Sequence, residues 1–374
     1  MVNLTGVELT GVPTAVETVL AEFFQATTPA LESIYPTAAE AGSALADFVM
    51  TGGKRVRPLF VYAGRQCAGE LDDDPDGVKI TVSETLRACA AIELIQACAL
   101  VHDDILDRSD TRRGRPTVHR RFETLHAQRG WDADSGHYGD SAAILIGDLA
   151  LAWADDLFHG VAPLPADRQT PPPRPVPFAA SAVWSQMRTE VLGGQFLDIT
   201  NEVAGDESLT AAYRVMEYKT AAYTVARPLE LGATLGGAEP ALCRELHGIG
   251  IDLGVAFQLR DDLLGVFGDP AETGKPSGDD LIAGKRTALL AVALEHADAA
   301  QSDLLRDCVG TRLTEAELTT AREVLAATGA VSEIEQQIDA RRDAGLARIA
   351  ALDVTDRARA DLTALAHRIT SRNR

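Results

Sequence analysis

The chain has 374 residues, is 46% hydrophobic but only 5% aromatic, and carries 35 basic against 55 acidic residues, a formal charge of −20. That length and apolar content allow one large core or two domains, and an Ala- and Leu-rich chain poor in aromatics favours helices over strands. The acidic balance excludes an organisation around a nucleic-acid footprint, and no run of about 18 apolar residues exists to span a membrane.

Residues 1–12 show no period and read as a loose arm. Apolar residues at three- and four-residue spacing predict helices over Pro13–Phe24 and Leu31–Met50. Thr51-Gly52-Gly53 breaks the pattern, and Lys54-Arg55-Val56-Arg57-Pro58 leads into a helix ending near Cys67. Lys54 and Arg57, three apart at a helix start, can aim two cations at one anion; the bland alternative is a glycine break flanked by surface cations. Residues 71–77 read as an acidic loop.

Helical periodicity resumes near Val82 and ends in His102-Asp103-Asp104-Ile105-Leu106-Asp107. Asp103 and Asp107, at i and i+4, share one helix face one turn apart, where they repel unless a cation lies between them. Mg²⁺ is the natural filler, since it takes one or two carboxylates and completes its shell with water and phosphate. A basic loop, Arg112-Arg113-Gly114-Arg115-Pro116, follows directly, its adjacent arginines suited to two separate anionic groups. Residues 128–140 read as another loop, then a helix from about Ser141 to His159 with Asp148 as a buried or part-buried polar group. Seven prolines between Val161 and Pro177 exclude helix and mark an inserted loop.

The helix predicted over Phe178–Val203 contains Gly193-Gly194-Gln195-Phe196-Leu197-Asp198, where the glycines permit close helix approach and Asp198 can support a cation. Lys219 lies in an apolar helical stretch, Tyr213–Leu235, where a cation needs an anion to face. A second paired acid, Asp261-Asp262, closes the helix Leu242–Val266, with Gln258 one turn before it. Lys275, Lys285 and Arg286 follow. Helices near 288–297, 314–327, 333–352 and 356–372 carry no chemical motif, and no segment alternates as a strand does. Five cysteines without CxxC spacing argue for reduced thiols, and the N-terminus has no leader-like pattern, which together predict a cytoplasmic protein.

Six blocks in order, GGKRVRP, HDDILDRSDTRRGRPT, GGQFLD, YKTA, FQLRDDLLG and GKPSGDDLIAGKRT, resemble the trans-isoprenyl diphosphate synthases, or polyprenyl synthetases. The resemblance runs from about Gly52 to Thr287. It implies an all-α, single-domain bundle around a deep central cavity (the isoprenoid synthase fold) and a homodimer. It also implies a reaction: isopentenyl diphosphate is condensed with dimethylallyl, geranyl or farnesyl diphosphate. In that pattern Asp103, Asp107 and Asp261 hold three Mg²⁺ ions, with Asp104 and Asp262 behind them. Arg112, Lys219, Gln258 and Lys285 hold the allylic diphosphate with Lys275 near it, Lys54, Arg57, Gln96 and Arg113 hold isopentenyl diphosphate, and Thr220 with Gln258 lines the allyl cation. Small residues at Cys98 and Ala99, five and four before Asp103, imply a product of geranylgeranyl length. Two positions depart from the pattern: Gln96 stands where His is common, and the second cluster reads DDLLG, with Gly265 in the last acidic place. The rival readings are a class I terpene cyclase and a non-catalytic partner subunit of a prenyl synthase.

Overall fold

The computed structural model describes residues 7–69, 80–161, 175–269 and 278–370. The chain divides into two compact units, Met1–Ser181 with Gly232–Ala238, and Ala182–Leu231 with Glu239–Arg374.

The first unit opens with a 3₁₀ turn, Leu9–Gly11, before α1 (Val12–Ile34) and α2 (Pro36–Met50). The arm expected over residues 1–12 is therefore fixed from residue 7 onward, where the Val7 carbonyl accepts from the Tyr62 hydroxyl at 2.6 Å. The helix expected from Leu31 to Met50 is instead broken at Tyr35. Tyr35 is extended (φ −172°, ψ 152°) because the following Pro36 disfavours helical geometry in the residue before it, while Pro36 itself suits the first turn of α2.

After α3 (Val56–Cys67), α4 (Val82–Leu106) begins on a reciprocal cap between Thr81 and Glu84. It is apolar nearly all round and accordingly buried along most of its length. Its end is a Schellman closure: Ser109 N–H donates to the Asp104 carbonyl at 2.9 Å and Arg108 N–H to that of Ile105 at 3.2 Å, with Arg108 at φ 51° where glycine is usual.

The basic loop is a hairpin that alternation alone could not reveal. β1 (Thr111–Arg112) pairs antiparallel with β2 (Arg115–Pro116), and the two turn residues, Arg113 (φ 55°) and Gly114 (φ 72°), are both left-handed, as a type I′ turn requires. α5 (Val118–Arg129) follows. α6 (Ser135–His159) starts six residues earlier than expected because Asp134 caps it, accepting from His137 N–H at 2.7 Å. Asp148 on α6 is exposed, which corrects its expected burial.

The long helix α7 (Phe178–Ala204) leads to α8 (Leu209–Val215), an eleven-residue π-helix (Met216–Ala226), α9 (Arg227–Leu235) and α10 (Pro240–Phe267). On α10, Gly250 and Gly254 lie directly against Ala226 and Ala221 of the π-helix; a Cβ at either glycine would come within 2.3–2.6 Å of the alanine Cα. Beyond come α11 (Asp279–Ile282), α12 (Ala288–His296), α13 (Ala299–Cys308), α14 (Glu315–Ala327), α15 (Ala330–Ala351) and α16 (Asp356–Thr370). The short helix α13 was not expected. Leu259, Leu263, Leu289, Val292, Leu305, Leu325, Ile334 and Ile338 knit α10 and α12–α15 into the core of the second unit. Apart from the hairpin, the described residues form helices and irregular connections, so the expected all-α class stands. No helix is long and apolar enough to cross a membrane among the described residues, and all five cysteines are buried with no disulfide between them.

Candidate active site

In the first unit the acidic cluster occupies the last turn of α4, which holds no basic residue. Carboxylates there oppose the negative end of the helix dipole, so the site demands cations from elsewhere. Arg112 of the hairpin supplies one: its Nε donates to Asp104 Oδ1 at 2.6 Å and its Nη2 lies 3.8 Å from Asp103 Oδ2. Asp104 is fully buried, and its second oxygen has no hydrogen-bond partner among the described residues. Burial pushes its carboxyl up to about 6; Arg112 pulls it down, while Asp103 and Asp107 push it further up. Asp103 is half-buried and Asp107, which caps α4, is exposed.

The glycine pair before α3 serves the same corner. Gly52 (φ 137°) and Gly53 (φ 132°) take backbone conformations that L side chains rarely adopt, and Arg113 packs against both, donating to the Gly52 carbonyl. Lys54 is exposed and Arg57 half-buried just beyond. Between them Arg55 turns inward at φ 47°, almost wholly buried. It donates to Glu93 Oε2 and to the Val49 carbonyl, both at 2.6 Å. Nothing in the spacing of GGKRVRP separates this inward arginine from the outward cations; the signal was Glu93, a lone acid in the apolar run of α4. Arg55, Arg108 and Arg113 all hold left-handed backbone, of order 1 kcal/mol each for a non-glycine residue, and all three border the acidic cluster in sequence or the Gly52–Lys54 turn.

Of the two small residues preceding the cluster, Cys98 is buried and Ala99 half-buried. Burial, with Asp148 second, pushes the Cys98 thiol up to about 12, so it is no nucleophile. Gln96 is half-buried on the same helix.

In the second unit Lys219 and Thr220 sit within the π-helix, a geometry that recurs at functional sites. The anion that Lys219 was expected to face is Asp198 of α7, 2.6 Å from its Nζ. Gly194 lies where the backbones meet: a Cβ there would stand 2.4 Å from Lys219 N. Close helix approach is thus the role of this second glycine, while Gly193 faces open space.

On α10, Asp261 is half-buried and Asp262 buried. Gln258, one turn earlier, donates to Asp262 Oδ1 at 2.8 Å, so its amide is engaged by the second aspartate of the pair. Burial raises the Asp262 carboxyl to about 8, with Asp280 and Asp261 adding to the rise and Gln258 and Lys285 opposing it. Lys285 Nζ lies 3.5 Å from Asp280 Oδ1. Lys275 and residues 162–174 of the proline-rich loop lie outside the described residues.

The donor set fits Mg²⁺. Each cluster offers oxygen ligands only, and each has a buried second aspartate held by a neutral or cationic donor. Among the described residues no three His, Cys, Asp or Glu side chains gather into one group that could hold a metal ion, so each carboxylate cluster would share its ion with water and diphosphate oxygens.

The chain matches the family model for polyprenyl synthetases over residues 39–325. Among solved structures it is similar to geranylgeranyl pyrophosphate synthase of Corynebacterium glutamicum, crystallised with isoprenyl diphosphate and magnesium. The two share 43% identity with a TM-score of 0.88, covering 98% of this chain and 100% of that one. By sequence it is similar to geranylfarnesyl diphosphate synthase of Aeropyrum pernix, 30% identical over 309 residues (82% of this chain, 86% of the relative). It is also similar to (2E,6E)-farnesyl diphosphate synthase of Mycobacterium bovis, 31% identical over 324 residues (86% and 80%). These names span three product lengths.

Proposed function

The chain belongs to the polyprenyl synthetase family and is a prenyltransferase, and on that premise we propose that it condenses isopentenyl diphosphate with an allylic diphosphate, head to tail, to geranylgeranyl diphosphate. The observation that carries this reading is the acidic end of α4, whose three aspartates stand against the helix dipole with Arg112 bound across two of them. Such a site is made for a cation–diphosphate pair.

Asp103, Asp107 and Asp261 are assigned to hold three Mg²⁺ ions. The chemistry supplied by bound Mg²⁺ is neutralisation of the departing diphosphate. Arg112, Lys285, Lys275 and Gln258 bind the allylic diphosphate, and their charges and dipoles favour heterolysis of its C–O bond, the electron pair leaving with the diphosphate. Lys219, fixed by Asp198, adds a cation, and the Thr220 hydroxyl and Gln258 amide present dipoles to the allyl cation. Lys54, Arg57, Gln96 and Arg113 orient isopentenyl diphosphate so that its alkene forms the new C–C bond; the proton lost afterwards goes to the released diphosphate. No side chain is assigned as a dedicated base.

Small residues at Cys98 and Ala99 support the twenty-carbon product, as does the name of the Corynebacterium relative. We further assign the chain to the cytoplasm, where five cysteines without a disulfide suit a reducing compartment, and to a homodimer in which the whole chain acts as one catalytic domain. The test is incubation of purified protein with isopentenyl diphosphate, Mg²⁺ and each of dimethylallyl, geranyl and farnesyl diphosphate, followed by chromatography of the dephosphorylated products. A C20 alcohol is expected, and Asp103→Ala should cut turnover by several orders of magnitude. Normal turnover of that variant at saturating Mg²⁺ overturns the metal assignment, and a C15 or C25 main product overturns the length.

A further inference from the structure

Gly265 takes the last place of the run Asp261-Asp262-Leu263-Leu264-Gly265, one helical turn beyond Asp261 and on the same stripe of α10. The space its side chain would enter is already filled. A Cβ built on Gly265 would stand 1.9 Å from Asp280 Oδ2 and 2.5 Å from its Cγ, closer than any real contact. A carboxyl group therefore lies over position 265, but it arrives from α11. Asp280 is buried, 8% exposed, and engages Lys285 twice: its Oδ1 lies 3.5 Å from Lys285 Nζ, and its carbonyl accepts from Lys285 N–H at 3.0 Å.

We propose that Asp280 supplies to the second acidic cluster the carboxylate that position 265 lacks, acting as a positioning residue that holds the Lys285 ammonium toward the allylic diphosphate. This rests on the assignment of Lys285 as a ligand of that diphosphate. Gly265 is then a steric requirement of the arrangement: the Asp280 carboxyl reaches this place from the neighbouring turn, and a side chain at 265 would expel it.

Five variants of the full chain test this: Asp280→Asn, Lys285→Ala, the two combined, and Gly265→Ala with and without Asp280→Ala. Asp280→Asn keeps the shape and removes the charge, so the KM for the allylic diphosphate should rise about five- to tenfold while that for isopentenyl diphosphate stays within about twofold. Lys285→Ala should raise the same KM, and adding Asp280→Asn to it should change nothing further, since residues acting through one another are not additive. Gly265→Ala should lower Tm by a few degrees, and Asp280→Ala in the same chain should restore it without restoring KM. If Lys285→Ala leaves the allylic KM unchanged, the assignment of Lys285 falls. If Lys285→Ala raises it and Asp280→Asn does not, or the two effects add, the positioning role alone falls. A shift in the Mg²⁺ half-saturation with Asp280→Asn, matching that of Asp261→Ala, would place Asp280 on the metal and likewise overturn the proposal. Gly265→Ala as stable as the parent would remove its steric basis.

Discussion

Adjacent glycines on α7 offer a paired experiment on how the Lys219 segment is held. At Gly193 a Cβ meets nothing within 4 Å, whereas at Gly194 it would stand 2.4 Å from Lys219 N and 2.8 Å from both Lys219 Cα and the Tyr218 carbonyl carbon. Ordinary van der Waals contact begins near 3.4 Å, so Gly194→Ala must part α7 from the π-helix by about 1 Å, and the obstacle is backbone that no rotamer change can relieve. Overpacking of this kind costs ~1–3 kcal/mol, against which alanine returns roughly 1 kcal/mol of helix propensity. The net loss of stability is thus small, about 0–2 kcal/mol, but a displacement of about 1 Å at a group that positions substrate costs on the order of 10²-fold in rate. Gly193→Ala keeps the propensity gain without the clash and should match or slightly exceed the parent in Tm. Thermal unfolding and steady-state kinetics at saturating isopentenyl diphosphate, allylic diphosphate and Mg²⁺ read out both terms. Expected are a kcat within about twofold of the parent for Gly193→Ala and about 100-fold lower for Gly194→Ala, with the KM for isopentenyl diphosphate unchanged in both. Equal kinetics for the two variants would refute the argument that the backbone contact at Gly194 sets the position of Lys219.

Lys54→Ala and Arg57→Ala should raise the KM for isopentenyl diphosphate more than that for its allylic partner, and Lys219→Ala should mainly lower kcat; equal effects on both substrates from all three would abolish this division of labour. Ala99→Phe should shorten the product by at least one five-carbon unit, and an unchanged product profile from a folded, active variant would show that this wall is not the ruler. A pH test addresses the half-buried cluster in which Arg227 binds Glu190 at 2.6 and 2.8 Å and also pairs with Glu230, which His247 contacts at 3.0 Å. Burial pushes the Glu230 carboxyl up, but His247 and Arg227 outweigh it and hold it below its ordinary 4.5. A depressed carboxyl contributes stability that is present above its unfolded-state pKa and lost as pH falls through the folded one, so the parent's Tm should drop more steeply than that of Glu230→Gln below about pH 4.5. Parallel curves would contradict this.

What the sequence disclosed was set by how local each signal is. Asp103, Asp107 and Arg112 lie within ten positions of one another, and motif order alone marked them. The Lys219 anion was foreseeable because a cation in an apolar stretch must be matched, and Asp198 stood in a recognisable block. The hairpin at Arg113-Gly114 escaped because two-residue strands have no alternation to read and Arg is not the residue that usually takes left-handed backbone. The inward turn of Arg55 depends on Glu93, 38 positions away, and the occupation of position 265 depends on Asp280, 15 positions on. Both are decided by packing that a linear pattern does not carry.

The π-helix has a consequence for what this chain can change. In an α-helix, residues five apart diverge by about 140° around the axis, so Ala221 and Ala226 could not share a face. Here both lie against α10, meeting Gly254 and Gly250, which are four apart. The segment therefore works as a gear between two different periods, with five residues on one side engaging four on the other. Exchange of one small residue for another leaves that meshing intact, whereas gain or loss of a single residue anywhere from Met216 to Ala226 would put every later contact of the helix out of phase. Residue number, more than residue type, is what this stretch must keep.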